Sequence, residues 1–164
     1  MTTSQSTTQS TTAVFEDLSI GDEIPELVRG PLLEPHLMRW SAAIENWHRI
    51  HYDQRFTVEH EGLPGLLVNG SWKQHFLVQV VREWAEPDGW LRNISFQFRA
   101  MDVVGSTLSA WGRITDLREE DGYGVVTLEI GIRNQEGQQS TPGTATVVLP
   151  LRGGPAVPYP FPAS

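Results

Sequence analysis

The chain contains no cysteine, which excludes disulfides, thiolate nucleophiles and Cys-type zinc sites. Positive charge is also scarce: 12 Lys and Arg stand against 20 Asp and Glu, for a formal net charge of -8. A nucleic-acid partner is therefore not expected, because such binders concentrate basic residues to neutralise phosphates. An anionic ligand would have to be met by locally placed Arg, Lys or backbone N–H groups. No stretch approaches the ~18 consecutive apolar residues of a membrane span. Met1 to Ala13 lack both the basic and the apolar parts of a secretory signal. The expectation is no membrane association and a cytoplasmic location. No glycine-rich phosphate loop or dinucleotide fingerprint occurs either.

What is present is the material of one globular domain: 164 residues, 39% hydrophobic and 20% charged. Residues 1–13 are almost all Thr, Ser and Gln, too polar to offset their ordering entropy, and read as a disordered tail. Residues 152–164 (RGGPAVPYPFPAS) are rich in proline, which blocks helix and sheet ladders. They read as an extended arm, with Tyr159 and Phe161 as anchors. The folded domain is placed at residues 14–151.

Within it, Ile24 to Leu32 reads as a strand ending at Pro31. Leu37, Trp40, Ala43 or Ile44, and Trp47 recur at helical spacing, predicting a helix from about Pro35 to Asn46. A polar, histidine-bearing loop spans His48 to Glu61. Asn69-Gly70-Ser71 then opens a second, longer helix, with Trp72, Phe76, Val80 and Trp84 on one stripe and Leu77 and Val81 beside it. Pro87, Asp88 and Gly89 end it. Beyond residue 90 the period becomes two. Ile94, Phe96 and Phe98 share one strand face; Leu108 to Ile114, Val126 to Ile132 and Ala145 to Leu151 give three more strands. Asp121-Gly122 and Glu136-Gly137 supply hairpin turns. This order predicts an α+β domain with a curved, mostly antiparallel sheet around one long central helix. The pattern alone fits a hotdog fold, and equally a cystatin-like or nuclear-transport-like cone.

Two blocks carry chemistry: Asn46-Trp47-His48-Arg49-Ile50-His51-Tyr52-Asp53, and Glu61-Gly62-Leu63-Pro64-Gly65-Leu66-Leu67-Val68-Asn69-Gly70. Together they resemble the MaoC-like hydratase/dehydratase family, closest to its hydroxyacyl-thioester dehydratase and mesaconyl-CoA hydratase branch. The motif of that branch reads approximately N-x-H-R-I-H-Y-D, then E-G-x-P-G-L-V-V-H-G. The resemblance implies a single hotdog domain acting as an enoyl-CoA hydratase or 3-hydroxyacyl-CoA dehydratase of (R)-specific type. It implies no separate cofactor, since coenzyme A belongs to the substrate, and no metal. It further implies at least a dimer, either a homodimer or a heteromer with another hotdog chain. In the more familiar pattern G-D-x-N-P-I-H an acid stands where this chain has Asn46, and the family's histidine before the helix-opening glycine is here Asn69.

Hydration of an enoyl thioester needs a base to activate water and an acid to protonate the α-carbon. A histidine suits both near neutral pH. His51 is accordingly the candidate general acid/base, with Asn46 orienting the water or the thioester. Negative charge builds on the thioester oxygen, and the start of a buried helix offers unpaired N–H groups to meet it. Gly70 and Ser71 are the expected donors, with Asn69 and Gly65 beside them as substrate-binding residues. His48, Arg49 and Asp53 are supporting residues; Asp53 in particular reads as a carboxylate that stabilises the turn. His48, His51, Asp53 and His60 lie close together but match no zinc-ligand spacing. Two rival readings remain. One is a non-catalytic helper subunit, motivated by Asn46 and Asn69. The other is a hotdog thioesterase, for which Glu61 is the nearest carboxylate to the helix start.

Overall fold

The computed structural model describes residues 13–158. The polar tail and the two aromatic anchors Tyr159 and Phe161 lie outside them. Strand β1 (Glu23–Arg29) is followed by helix α1 (Glu34–Ala43) and then by helix α2 (Gly70–Ala85). Strands β2 (Trp90–Phe96), β3 (Leu108–Glu120), β4 (Tyr123–Asn134) and β5 (Gln139–Pro150) complete the domain. The sheet order is β1-β3-β4-β5-β2, and every pairing is antiparallel.

Because β1 and β2 occupy opposite edges, the helix that joins them crosses the full width of the sheet and touches all five strands. The side chains explain why it stays there. Phe76, Leu77, Val80, Val81 and Ala85 are buried against the inward face of the sheet, made by Leu108, Ala110, Ile114, Leu128, Ile130, Ala145 and Val147. Each such side chain contributes about 1.5–3 kcal/mol by leaving water. Trp72 and Trp84, at the ends of the expected stripe, pack on this core only in part. Register shifts at Ile114–Asp116 and Leu91–Asn93 accompany the curl around the helix. At the β3–β4 hairpin Asp121 and Gly122 both have positive φ, 53° and 81°, as a two-residue type I′ turn requires.

Two expectations need correction. Helix α1 stops at Ala43 rather than Asn46. Glu45 turns left-handed at φ 54°, the Asn46 N–H returns to the Ser41 carbonyl, and the Asn46 side chain takes the His48 N–H. Short polar side chains compete with helix in this way, and Trp47 is left 56% exposed. The polar loop after it is not irregular. It holds a 3-10 turn at Arg49–His51 and a π-helical turn at Phe56–His60. β2 also ends at Phe96, so Phe98 lies outside the strand. The start of the proline-rich arm folds back on residues 15–17, where Arg152 donates its backbone N–H to Glu16 and its guanidinium to Asp17.

Candidate active site

Three segments are sewn together at the start of α2. The Leu67 N–H bonds the Ile50 carbonyl, the Val68 N–H bonds the Asp102 carbonyl, and the Val104 N–H bonds the Leu66 carbonyl. This knit brings the motif of the 3-10 turn beside the stretch that leads into the helix. His51 is 8% exposed, and its Nδ1 lies 2.8 Å from the Leu67 carbonyl oxygen. A carbonyl only accepts, so Nδ1 carries the proton and Nε2 is left with a lone pair. That is the tautomer of a base.

The supporting residues hold this turn in shape. His48 caps it, its Nδ1 accepting from the Ile50 N–H at 3.4 Å. Arg49 pairs with Asp53 at 2.7 Å and lies over the Phe56 ring, 4.1 Å from its centroid. Asp53 Oδ1 takes the Phe56 N–H at 3.0 Å. That hydrogen bond first, and Arg49 second, hold the Asp53 carboxyl below its ordinary range. A carboxylate lowered in the folded state stabilises it above the unfolded value and loses that contribution as pH falls through the folded one. The turn therefore keeps this support throughout the neutral range.

Asn69 is the N-cap of α2, and its use of hydrogen bonds decides what the helix start has left to offer. Its Oδ1 accepts from the Ser71 N–H at 3.0 Å and from the Ser71 hydroxyl at 2.6 Å. The Trp40 indole donates to that hydroxyl at 2.9 Å. Ser71, expected as a donor to substrate, has thus given its N–H to the cap. The donors that remain are the Gly70 N–H and Asn69 Nδ2, which is buried with no partner among the described residues. The close approach made possible by Gly70 is taken by Phe98: a Cβ there would stand 3.2 Å from its ring. Gly65 is buried and faces Val103 at ordinary contact distance. Asn46 holds the His48 N–H through Oδ1 at 3.2 Å, which leaves its Nδ2 as a donor. Glu61 is exposed. Among the described residues, no three His, Asp or Glu side chains gather as a metal site requires.

Sequence reasoning missed one pair. Lys73, in the first turn of α2, is buried at 4% side-chain exposure and pairs at 2.9 Å with Asp102, at 2%. Lys73 also donates to the Ala100 carbonyl at 3.1 Å. The available signal was a lysine on the apolar arc of an amphipathic helix, which demands a buried anion.

A curved antiparallel sheet around one helix, with a buried histidine beside the helix cap, is a hotdog domain of the MaoC-like type. Solved structures share this fold. The (R)-hydratase from A. caviae involved in PHA biosynthesis superposes with a TM-score of 0.71 at 21% identity, covering 82% of this chain and 99% of that one. The MaoC-like dehydratase from Rhodospirillum rubrum gives 0.73 at 16%, covering 85% and 98%. The ChsH1-ChsH2 complex from Mycobacterium tuberculosis gives 0.67 at 19%, covering 80% and 98%. In sequence, 57 residues are 39% identical to mesaconyl-C(4)-CoA hydratase of Chloroflexus aurantiacus, a match over 34% of this chain and only 20% of that relative. The family model of hydroxyacyl-thioester dehydratase type 2 matches residues 22–106, more than half of the chain. The chain belongs to that family.

Proposed function

We propose that this chain is a hydro-lyase acting on an acyl-CoA thioester, as an enoyl-CoA hydratase or 3-hydroxyacyl-CoA dehydratase, with His51 as general acid/base. The observation that carries this reading is the Nδ1 bond of His51 to the Leu67 carbonyl, which makes Nε2 the basic nitrogen just ahead of the capped start of α2. In hydration, Nε2 takes a proton from water as the oxygen bonds the β-carbon. The electron pair of the double bond moves toward the thioester carbonyl, and the α-carbon then takes the proton back from the imidazolium. Dehydration is the reverse. Asn69 Nδ2 and the Gly70 N–H meet the charge on the carbonyl oxygen, and Asn46 Nδ2 positions the water or the thioester.

The test is hydration of crotonyl-CoA, followed as loss of absorbance of the conjugated thioester. Steady turnover by the purified chain supports the reading; a folded chain inert toward short, branched and aromatic enoyl-CoAs removes it. Asn69→Asp isolates the role of the amide. The carboxylate still accepts the Ser71 N–H, so a cap worth about 1 kcal/mol is retained, but the donor is gone. Thermal stability is expected close to wild type, with kcat lowered about 10²-fold. Unchanged kcat would take Asn69 out of the site.

A second reading is favoured by Asn46 and Asn69, which replace an acid and a histidine of the familiar patterns: a helper subunit to a chain that carries both. Both sheet edges, β1 and β2, pair on one side only and offer places for a second hotdog domain, identical or different, to join. Inactivity alone with activity restored by a partner chain would select this reading.

A further inference from the structure

Between the end of β1, helix α1 and the outer side of α2 lies a cleft of about 710 Å³, a volume suited to a small ligand. Its walls carry Arg29, His36, Arg39, His75, Trp40 and Trp72, and no Asp or Glu. In a chain with 20 acidic residues and a net charge of -8, that is a local inversion of sign. No described carboxylate pairs with Arg29 or Arg39. The Arg29 guanidinium lies over the Phe76 ring on the cleft floor, 5.8 Å from its centroid. His36 Nδ1 accepts the Leu33 N–H at 3.0 Å, so its proton is on Nε2, a further donor. The Trp40 and His75 rings face each other at 5.4 Å, giving the cleft an apolar wall.

This cleft continues toward the candidate active site. A narrow crevice of about 10 Å³ is lined by Leu32, His36, Trp40, Val68, Asn69 and Trp72, and four of these, Leu32, His36, Trp40 and Trp72, also line the larger cleft. Its width is that of about one water. An acyl chain passes by displacing Trp40 or Trp72, which are half-buried rather than locked in the core. The crevice therefore joins the unpartnered Asn69 amide at one end to a basic, aromatic-walled chamber at the other.

We propose that the cleft receives the far end of the acyl group and that this end is a carboxylate, held by Arg39, Arg29 and His36 Nε2–H. The proposal rests on the hydro-lyase reading for the site and adds its substrate class: enoyl thioesters of dicarboxylic acids, long enough to pass Trp40. Apolar walls serve the chain, and unpaired guanidinium groups serve the terminal charge.

The test compares 2-octenoyl-CoA with the same thioester bearing a terminal carboxyl group. Wild type is expected to favour the carboxylated substrate by about 10-fold or more in kcat/KM, and Arg39→Gln and Arg29→Gln to bring that ratio toward unity. Both arginines are exposed, so the variants keep the fold. A wild-type preference for the methyl-ended substrate, or a ratio indifferent to both variants, overturns the proposal. Octanedioate, octanoate and 3′-phosphoadenosine diphosphate are then titrated separately against tryptophan fluorescence, without turnover. Quenching by octanedioate alone, lost in Arg39→Gln, upholds the cleft even if neither thioester reacts, and in that case only the hydro-lyase reading falls. Quenching by the nucleotide and not by octanedioate assigns the cleft to the coenzyme A end and overturns the proposal.

Discussion

Replacing His51 by alanine is expected to lower turnover of an enoyl thioester by about 10²-fold or more, the usual contribution of a positioned acid/base. Alanine also removes the anchor to the Leu67 carbonyl, so a second variant separates chemistry from structure. The His51→Asn amide reaches about as far as Nδ1 and still donates to that carbonyl, but it has no titrating nitrogen. Both variants should lose activity, while His51→Asn keeps a thermal midpoint near wild type. Should His51→Asn retain wild-type kcat, His51 is an anchor of the 66–68 segment and the proton carrier lies elsewhere.

The second large effect is expected at the buried ion pair. Lys73→Met leaves the Asp102 carboxylate, 2% exposed, without its cation. Removing one member of such a pair costs about 3–5 kcal/mol, measurable as a lower midpoint in urea unfolding. The double variant Lys73→Met/Asp102→Leu removes both charges and is expected to recover most of that loss, because hydrophobic replacements of a buried pair are often neutral. Equal destabilisation in the single and double variants would mean that packing around the lysine stem, not charge, is what matters. The effect should reach the site as well. The Asp102 carbonyl holds the Val68 N–H, and Val68 follows the carbonyl on which His51 rests.

How much of this was legible beforehand differs from residue to residue. The long helix was plain because Phe76, Leu77, Val80 and Val81 follow a 3.6-residue period, and all four are buried. The β3–β4 turn was equally plain, since Asp-Gly is the pair that tolerates positive φ at both positions. The end of α1 was not, because Trp47 continues the helical spacing. What overrides it is a local competition by Asn46 for backbone donors, which spacing does not register. The turns inside the polar loop were missed for the same reason: the Asp53 and His48 caps fix them, not an apolar period.

The site divides along a similar line. The motif pointed to His51, Asn69 and Gly70 as neighbours in function. It could not say that Asn69 uses Oδ1 on Ser71 and keeps Nδ2 unpartnered, nor that Ser71 is thereby committed to the cap. Such facts depend on which groups reach each other first. The basic cleft is more remote still from the sequence. Arg29 ends a strand, Arg39 and His36 belong to α1, and His75 belongs to α2, and nothing in their spacing associates them. By itself the sequence determined what is written in local period and short motif: the helix and strands, their antiparallel pairing, the family and the histidine. Only the tertiary structure decided how donors are shared at the helix start, that Lys73 finds Asp102, and that four basic side chains face one chamber. Those are contacts between segments far apart in the chain, set by packing of the sheet around the helix rather than by any residue's neighbours.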